Sequence, residues 1–241
     1  MPYLIYSIIF IFFGLGTFLT FIINRKLDKV KKVANWYKIL VYFGIVVSII
    51  TIMYMNNYFF MFIAIIIVLR GLYELLYVEY KNKANNLFFI FSISLYFFLS
   101  MFFIYFSFSS KEILIYTFLL VTVSDGFSQI SGQLMGKTKL FKYISPSKTI
   151  EGFIGGIVFS IFISILIKGL LDFSLHKAII FGLTVSILSE IGDLVASYYK
   201  RKHLTKDFPV IIPYHGGFLD RFDSFIFAGA FVGLYTLIFQ L

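Results

Sequence analysis

The chain has 241 residues, of which 60% are hydrophobic and only 14% are charged, and its mean hydropathy is +0.92. Soluble domains are about 25% charged, so this composition excludes an ordinary soluble domain and indicates an integral membrane protein. The formal net charge of +9 is explained by basic cytoplasmic loops, by an anionic partner such as lipid headgroups or a nucleotide, or by both. No nucleic-acid partner is expected, because no basic soluble domain is present to bind one. The chain contains no cysteine and so forms no disulfide.

Eight apolar runs are long enough to cross a bilayer as helices, because a span needs about 20 residues and must satisfy its own backbone hydrogen bonds. The predicted spans are residues 3–23, 38–55, 58–78, 87–108, 112–130, 152–169, 177–197 and 222–240. Polar residues interrupt the third and the seventh. We therefore expect an all-α, polytopic helical bundle with a single membrane domain over residues 1–241. Its N-terminal spans lie in 1–110, and the region with the chemical motifs is 112–241.

The distribution of basic residues predicts how the chain crosses the membrane. Of the 21 Lys and Arg residues, 17 fall in the loops 24–38, 79–86, 131–151 and 198–221. The loops on the other side contain only Lys111, Lys168 and Lys177, and Arg70 lies within a span. Because cytoplasmic loops are rich in Lys and Arg, these four loops are expected in the cytoplasm and both termini outside. The first run has no basic side chain before it and no small-residue cleavage site after it, so we expect it to be retained.

A stripe of polar side chains follows the seventh predicted helix. It consists of Glu190, Asp193, Ser197, Lys200 and Arg201. At 100° per residue these positions fall within an arc of about 100°, on one face. Charged groups inside a span are costly and usually face a polar cavity or a partner. A structural ion pair between helices is the alternative, but a stripe of this length favours a functional site.

The fifth predicted helix has a similar stripe, formed by Asp125, Ser128, Gln129, Gly132 and Gly136. The two glycines are four residues apart, a spacing that lets membrane helices pack closely, and we expect that packing role for them. Asp125 lies near the cytoplasmic end of an apolar run. Both a structural and a functional role are open for this carboxylate.

The loop after the fifth helix combines a turn signal with a helix start. Ser145-Pro146 predicts a turn, and either Ser147 or Thr149 is expected to cap the sixth helix. Glu151 then falls in the first turn, where the helix dipole favours a carboxylate. Lys148 at this helix start can bind a phosphate together with backbone N–H groups. Inside-positive topology is sufficient to explain the other basic residues of this loop, Lys137, Lys139 and Lys142.

The densest charged cluster lies before the eighth predicted helix. Asp220 and Asp223 are spaced i, i+3 and so point the same way. With Asp193 they provide three carboxylates, the hard oxygen ligands that suit Mg²⁺. Gly216 and Gly217 allow the backbone to approach a phosphate closely. The neighbouring His215 is interpreted as a hydrogen-bond donor to a phosphate or a ribose.

Three further polar features receive structural interpretations. His176 and His203 are expected at the surface or at an interface. Arg70 and Glu74, spaced i, i+4 in the third span, are expected to form a structural ion pair.

Together these motifs resemble the signature of the CDP-diacylglycerol synthases, or phosphatidate cytidylyltransferases. In that family Ser-x-x-Lys-Arg is followed after four residues by Lys-Asp, and then by Pro-x-His-Gly-Gly-x-x-Asp-Arg-x-Asp. The matching residues are Ser197, Lys200, Arg201, Lys206, Asp207, Pro213, His215, Gly216, Gly217, Asp220, Arg221 and Asp223. The family's upstream Ser-Pro-x-Lys-Thr-x-Glu-Gly and its Gly-Asp-x-x-x-Ser are matched by Ser145, Pro146, Lys148, Thr149, Glu151, Gly152, Gly192, Asp193 and Ser197. The resemblance covers residues 125–223; Pro209, Tyr199 and Ser128-Gln129 depart from the family pattern without removing a charged group.

The resemblance implies a membrane-embedded nucleotidyltransferase that converts CTP and phosphatidate to CDP-diacylglycerol and pyrophosphate in phospholipid biosynthesis. It implies that Asp193 and Asp220 hold Mg²⁺, with Asp223 as a ligand or as a support to the ligands, and it allows a second cation. Phosphates would be held by Lys200, Arg201, Lys206 and Arg221. Ser145 and Lys148 would close over them. The remaining substrate-binding residues would be Thr149, Ser197, His215, Gly216, Gly217 and Asp125.

The implied location is the inner (cytoplasmic) membrane of a bacterial cell, with several spans and the site facing the cytoplasm. Membrane lipids are expected partners, and a homodimer is among the expected assemblies. Two alternatives stay open. One is a CTP-dependent transferase or kinase that acts on another lipid, such as an isoprenoid ether lipid phosphate or a polyprenol. The other is a non-enzymatic transporter or channel, although the inverted repeats common in transporters are not visible here.

Overall fold

The computed structural model describes residues 2–25, 27–210 and 216–239. Within these ranges the chain forms eight α-helices, one antiparallel pair of short strands and a 3-10 helix. The helices are α1 (Pro2–Asn24), α2 (Lys29–Met55), α3 (Asn57–Lys81), α4 (Asn86–Phe106), α5 (Lys111–Met135), α6 (Ile150–Leu166), α7 (Leu175–Lys202) and α8 (Leu219–Phe239). The strands are β1 (Lys139–Phe141) and β2 (Ser145–Thr149), and the 3-10 helix is Lys168–Leu170.

Seven of the eight described helices are long and apolar enough to cross a bilayer, which confirms the predicted polytopic helical bundle. The exception is α6, which is apolar but has only 17 residues. At 1.5 Å per residue it is about 25 Å long, less than the hydrocarbon thickness of about 30 Å. The predicted span 152–169 was therefore too long, because the helix ends at Leu166 and the 3-10 helix follows. The polar interruptions in the third and seventh spans do not break α3 or α7.

Two helices extend beyond the apolar runs from which they were predicted. α2 begins at Lys29 rather than at 38, and Asp28 caps it by accepting a hydrogen bond from the Lys31 N–H at 2.9 Å. α7 continues to Lys202 rather than ending at 197. Hydropathy marks only the part of a helix that lies in the hydrocarbon, whereas charged turns continue into the polar interfacial layer. The predicted loops 24–38 and 198–221 are correspondingly shorter.

A β-hairpin occupies the predicted irregular loop between α5 and α6. β1 and β2 pair antiparallel, with Lys139 opposite Thr149 and Phe141 opposite Ser145. The predicted turn at Ser145-Pro146 was wrong, since both residues belong to β2 and the turn is formed by residues 142–144. Proline is tolerated near the start of an edge strand, where its missing N–H is not needed.

The helix start after the hairpin is built as expected. Thr149 caps α6 by accepting a hydrogen bond from the Gly152 N–H at 3.1 Å. The carboxylate of Glu151, in the first turn, accepts hydrogen bonds from the backbone N–H groups of Lys137 and Thr138 at 3.1 Å. Glu151 therefore ties the start of α6 to the chain that leaves α5.

Small residues let α5 and α6 approach closely, as the glycine spacing predicted. A Cβ atom added to Gly152 would lie 2.7 Å from the backbone oxygen of Ser128, and one added to Gly132 would lie 3.1 Å from Oγ1 of Thr149. At Gly136 it would lie 2.8 Å from both Oγ1 and Cγ2 of Thr149. The predicted packing role of Gly132 and Gly136 is confirmed.

An aromatic core lies where α4, α5 and α8 meet, away from the contact between α5 and α6. The ring of Phe225 packs edge-on against Phe103 and Phe118, with centroids 5.1 and 4.9 Å apart. Edge-to-face pairs of this kind stabilise a fold beyond the area they bury. They hold α8 against the bundle, and with it the motif residues of its first turns.

α7 and α8 are in backbone contact next to the predicted site. A Cβ atom on Gly192 would lie 2.9 Å from the backbone oxygen of Asp223 and 3.0 Å from Cα of Ser224. Because these are backbone atoms, and Cβ of Phe227 would be closer still at 2.7 Å, a side chain here requires the two helices to separate. Gly192 thus places the backbone beside Asp193 directly against Asp223.

We expect Gly192→Ala to destabilise the protein, because even one methyl group must push α8 away from α7. Overpacking of this kind costs about 1–3 kcal/mol, and thermal unfolding in detergent measures it. Gly44→Ala in α2 is the matched control, since a Cβ at Gly44 meets no atom within 4 Å and alanine favours helix. Equal melting temperatures for the two variants would contradict the close contact at Gly192.

Candidate active site

The hairpin brings Lys148 against the polar stripe of α7. The Nζ atom of Lys148 lies 2.5 Å from Oε2 of Glu190 and 2.8 Å from Oδ2 of Asp193. These two contacts join the hairpin after α5 to α7, so the motif residues of both segments lie in one site. The two carboxylates use two of the three N–H donors of the ammonium group, which leaves one for a substrate oxygen.

Lys148 remains charged in this environment. Burial lowers the pKa of its ammonium group, but the adjacent carboxylates of Asp193 and Glu190 raise that pKa by more, so it lies above its usual value. The side chain therefore provides a fixed positive charge at neutral pH.

The carboxylate of Asp220 holds the segment between α7 and α8 in place. Its Oδ1 lies 2.5 Å from Nζ of Lys200, and its Oδ2 accepts hydrogen bonds from the N–H groups of Phe208 at 3.1 Å and Gly217 at 2.8 Å. The sequence predicted a metal ligand at Asp220. Here both oxygens already have donors, so the visible role of this side chain is to position the loop.

Gly216 and Gly217 lie so close to the carboxylates of Asp220 and Glu74 that neither position has room for a side chain. Gly216 has φ of +78°, which L side chains rarely adopt, and a Cβ on it would lie 2.7 Å from Oδ2 of Asp220. A Cβ on Gly217 would lie 2.7 Å from Oε2 of Glu74. The chain can therefore wrap around the two carboxylates only because both residues lack side chains.

Glu74 is a supporting residue whose role the sequence did not reveal. It is fully buried and accepts hydrogen bonds from the N–H groups of Phe218 at 2.9 Å and Leu219 at 2.8 Å, at the start of α8. The predicted pair with Arg70 is also present, at 3.6 Å between Nε and Oε1. Glu74 thus fixes the helix that carries Asp220 and Asp223. The only indication of this role in the sequence was a glutamate inside an apolar span, four residues after Arg70.

The carboxylates in the partly buried cluster outnumber its two ion-paired ammonium groups. Ser197 donates to Oδ1 of Asp193 at 3.2 Å, and Ser189 donates to Oδ1 of Asp125 at 2.7 Å. Asp223 accepts a hydrogen bond from the Ser224 N–H at 2.7 Å and interacts electrostatically with Asp193, Lys200 and Asp220. The carboxylates of the cluster are Asp125, Glu190, Asp193, Asp220 and Asp223, whereas its two ion-paired ammonium groups are Lys148 and Lys200.

In the part of the chain that the structure describes, Asp125 and Asp223 form no ion pair with a lysine or arginine, and such carboxylates suit a bound cation. Among the described residues, no group of three or more His, Cys, Asp or Glu side chains is arranged to hold a metal ion. Mg²⁺ is usually bound through one or two carboxylates together with water and substrate phosphates. Asp193 and Asp223 suit that arrangement, because α7 and α8 are in backbone contact beside them and their carboxylates are close enough to interact electrostatically.

Other predicted site residues form the walls of the cluster. The guanidinium of Arg201 donates from Nε to the backbone oxygen of Ile144 at 3.0 Å and from Nη1 to that of Thr205 at 3.1 Å. Arg201 therefore connects the hairpin turn with the end of α7. Ser145 is buried at the start of β2 and Thr149 is the cap of α6.

The remaining predicted residues lie at the exposed rim or outside the described chain. Lys206 and Arg221 are both exposed. His215, like Pro213, falls outside the described residues, so its predicted hydrogen bond to a phosphate or ribose stays a prediction.

The prediction for His203 was wrong. Its side chain is buried, with Nδ1 2.8 Å from the backbone oxygen of Tyr199 and Nε2 2.7 Å from Oε2 of Glu79. The extra helical turn of α7 is the reason, because it directs the imidazole back toward the end of α3. His176, in contrast, is exposed as expected.

The fold and this cluster define a polytopic membrane protein whose buried acids and bases gather at one end of its helices. The model of a family described as the cytidylyltransferase family matches residues 81–239. This match covers about two thirds of the chain, so the chain belongs to the cytidylyltransferase family. It includes every motif residue discussed above and excludes α1 and α2 together with nearly all of α3.

Proteins called phosphatidate cytidylyltransferase are similar to this chain over 116 residues. The identity is 47% for that of Staphylococcus haemolyticus, 45% for that of Staphylococcus aureus and 42% for that of Staphylococcus saprophyticus. Each alignment covers 47% of this chain and 45% of the relative. The matched part of the chain thus spans about half the length of these curated relatives.

We expect Glu74→Ala to lower both activity and thermal stability, because it leaves two N–H groups of the α8 start without a buried acceptor. Each unsatisfied group costs about 1–3 kcal/mol. Glu74→Gln keeps an acceptor oxygen and is expected to retain more of both properties. Melting temperature and turnover, measured side by side on the two variants, check this role. An alanine variant that matched the wild-type protein in both would contradict it.

Proposed function

We propose that the protein transfers a cytidylyl group from CTP to phosphatidate and forms CDP-diacylglycerol and pyrophosphate. The observation that carries the proposal is the neighbouring pair Asp193 and Asp223, flanked by the ammonium groups of Lys148 and Lys200, within the residues that the family match covers. The names of the relatives support cytidylyl transfer to phosphatidate. The predicted homodimer stays a prediction.

The reaction is an in-line displacement at phosphorus. An oxygen of the phosphatidate phosphate forms a bond to the α-phosphorus of CTP, while the bond from that phosphorus to the bridging β-phosphate oxygen breaks. The electron pair of the broken bond leaves with pyrophosphate. The attacking phosphate is ionised near neutral pH, so no side chain has to remove a proton. The protein has to position the two anions and reduce their repulsion.

The described residues supply groups for both tasks. Lys148 has one N–H donor left after its ion pairs, and Lys200 has two left after its contact with Asp220. These ammonium groups are held in place before substrate arrives, so little reorganisation is needed. Arg201 in the wall of the cluster and the exposed Lys206 and Arg221 would hold the triphosphate and the lipid phosphate.

A magnesium ion would be held by Asp193 and Asp223. Oδ1 of Asp193 accepts only from the Ser197 hydroxyl group among the described contacts, and the described hydrogen bond of Asp223 uses Oδ1 alone. When bound, Mg²⁺ neutralises phosphate charge and makes the α-phosphorus more susceptible to attack. Asp220 would act by keeping Lys200 and the loop around Gly217 in position.

The proposed location is the inner (cytoplasmic) membrane of a bacterial cell, with the site facing the cytoplasm. The contacts of Arg201 with the hairpin and of His203 with Glu79 bring three of the basic loops to one end of the bundle. Basic residues favour the cytoplasmic side, and CTP is available there.

The proposed chemistry is tested with the full chain, labelled CTP, Mg²⁺ and phosphatidate, with CDP-lipid and pyrophosphate as readouts. We expect Asp193→Asn and Asp223→Asn each to lower turnover by about a hundredfold or more, because each removes a negative charge at unchanged volume. Asp172→Asn is the matched control, since this exposed residue lies in the turn before α7, at the other end of the bundle. Near-normal turnover of Asp193→Asn at saturating Mg²⁺ would overturn the site.

Asp220→Asn separates a metal ligand from a positioning residue. Loss of turnover is expected here as well, together with a lower melting temperature, because Lys200 and two backbone N–H groups lose a charged acceptor. If the melting temperature is unchanged and only the Mg²⁺ requirement rises, Asp220 is a metal ligand instead.

Single cysteines test the orientation of the site, because the natural chain has none. Tyr143 at the hairpin turn and Leu204 after α7 are 94% and 92% exposed. We expect Tyr143→Cys and Leu204→Cys to react with an impermeant thiol reagent only after the cells are opened. Phe108→Cys, in the exposed turn after α4, is the control that should react in intact cells. Labelling of the first two from outside would refute access to cytoplasmic CTP.

A further inference from the structure

A groove between α1, α2 and α5 leads to the cluster of charged residues. It encloses about 190 Å³ and reaches Asp220 and Arg221 at the end nearest the charged cluster. Asp125 also lines it. The groove is therefore continuous with the proposed active site, but two of its three walls are helices outside the family match.

The lining changes in character along the groove. Phe12 and Phe13 lie about three helical turns from the end of α1, whereas Thr17 and Thr20 lie within about two turns of it. On α5, Phe127 precedes the polar residue Gln133 in the same direction. The wall formed by α1 is thus apolar at depth and polar toward the end of the bundle that holds the charged cluster, and α5 adds the polar residues Thr122 and Asp125 at depth.

The outer surface beside the groove faces lipid. Phe10 on α1 and Leu40 on α2 are 61% and 72% exposed, which is expected for side chains in contact with the hydrocarbon of a bilayer. The groove accordingly runs along the edge of the bundle, where a membrane lipid can reach it from the side.

Two cations lie in the wall of the groove. Lys38 on α2 is half-buried and Arg221 at the start of α8 is exposed. Lys38 is close enough to Arg221 to interact with it electrostatically, and it interacts in the same way with Lys206 and Asp207. A phosphate monoester with its two negative charges is the natural partner of such a pair. In the sequence, Lys38 is explained by inside-positive topology alone, because it is remote from every motif.

We propose that this groove binds the lipid acceptor, with the phosphate monoester against Lys38 and Arg221 and an acyl chain along Phe12 and Phe13. The proposal rests on the proposed function and adds to it a substrate-binding residue and an acyl-chain site in the N-terminal helices. A nucleotide is the less favoured occupant, since the part of the groove beside Phe12, Phe13 and Phe127 is lined mainly by apolar and aromatic side chains.

Two glycines allow the groove to be filled without disturbing the fold. A Cβ atom on Gly16 would be 3.8 Å from Cδ1 of Ile130, an ordinary contact, and one on Gly126 meets no atom within 4 Å. Gly14, on the same helix as Gly16, also has no atom within 4 Å of its Cβ position, but it is exposed and does not line the groove. Gly14→Leu is therefore a matched control for Gly16→Leu.

The test is steady-state kinetics of the full chain, with dioleoyl phosphatidate and CTP varied separately. We expect Gly16→Leu and Gly126→Leu to raise the KM for dioleoyl phosphatidate about tenfold, because the leucine side chain fills the groove and part of the acyl chain loses its apolar contacts. The KM for CTP should be unchanged. Dihexanoyl phosphatidate, whose chains are too short to reach the deep part, should be used almost normally. Gly14→Leu should match the wild-type protein with both lipids.

Lys38→Gln supplies a second, independent variant. It should raise the KM for both lipids about tenfold or more, since a charge-assisted hydrogen bond is lost, and Lys38→Arg should restore most of the loss. Lys29→Gln, an exposed lysine at the start of the same helix, is the control. A rise in the KM for CTP rather than for lipid would assign the groove to the nucleotide, and no change in either would overturn the proposal.

A binding measurement separates this proposal from the proposed function. A photoactivatable phosphatidate should label α1 or α5 of the wild-type protein, compete with unlabelled phosphatidate and fail to label Gly16→Leu. Labelling without any CDP-lipid formation would refute cytidylyl transfer and retain the groove. CDP-lipid formation with labelling confined to other helices would do the reverse.

Discussion

The ion pairs of Lys148 and Lys200 are the contacts on which the rest of the site depends. A carboxylate deep in an apolar bundle is costly unless a cation accompanies it. Lys148 connects β2 with α7, and Lys200 connects α7 with α8. Two ammonium groups therefore join three segments that are distant in sequence, and they compensate much of the acidic charge that α7 and α8 bring together.

Support for this arrangement comes from helices that contain no recognisable motif. Glu74 of α3 holds the first turn of α8, and Glu79 at the end of the same helix holds His203 after α7. Lys38 of α2 lies beside Arg221. The family match begins at residue 81, so helices outside the matched region also shape the site.

Hydropathy and spacing predicted the helical bundle and most of the cluster, because burying a one-sided stripe of charge in an apolar helix is costly unless the stripe lines a polar site. Asp193 and Lys200 lie on the same face of α7, as the helical period predicted, and they pair with Lys148 and Asp220. The sequence could not show that Asp220 accepts hydrogen bonds from Phe208 and Gly217, because such contacts depend on how the loop returns to α8. Hydrophobicity alone also could not show the last turn of α7, which buries His203, or the paired strands of the hairpin.

The groove at the edge of the bundle has a consequence for the direction of the proposed cytidylyl transfer. A lipid that reaches the site from the side would keep its acyl chains in apolar surroundings during the proposed transfer. The nucleotide-bearing product could then return to the bilayer by the same route. In the proposed reaction, pyrophosphate has no apolar part and would leave into water. The two products then enter different phases, and the reverse reaction would require them to meet again at one small site on the surface that separates these phases.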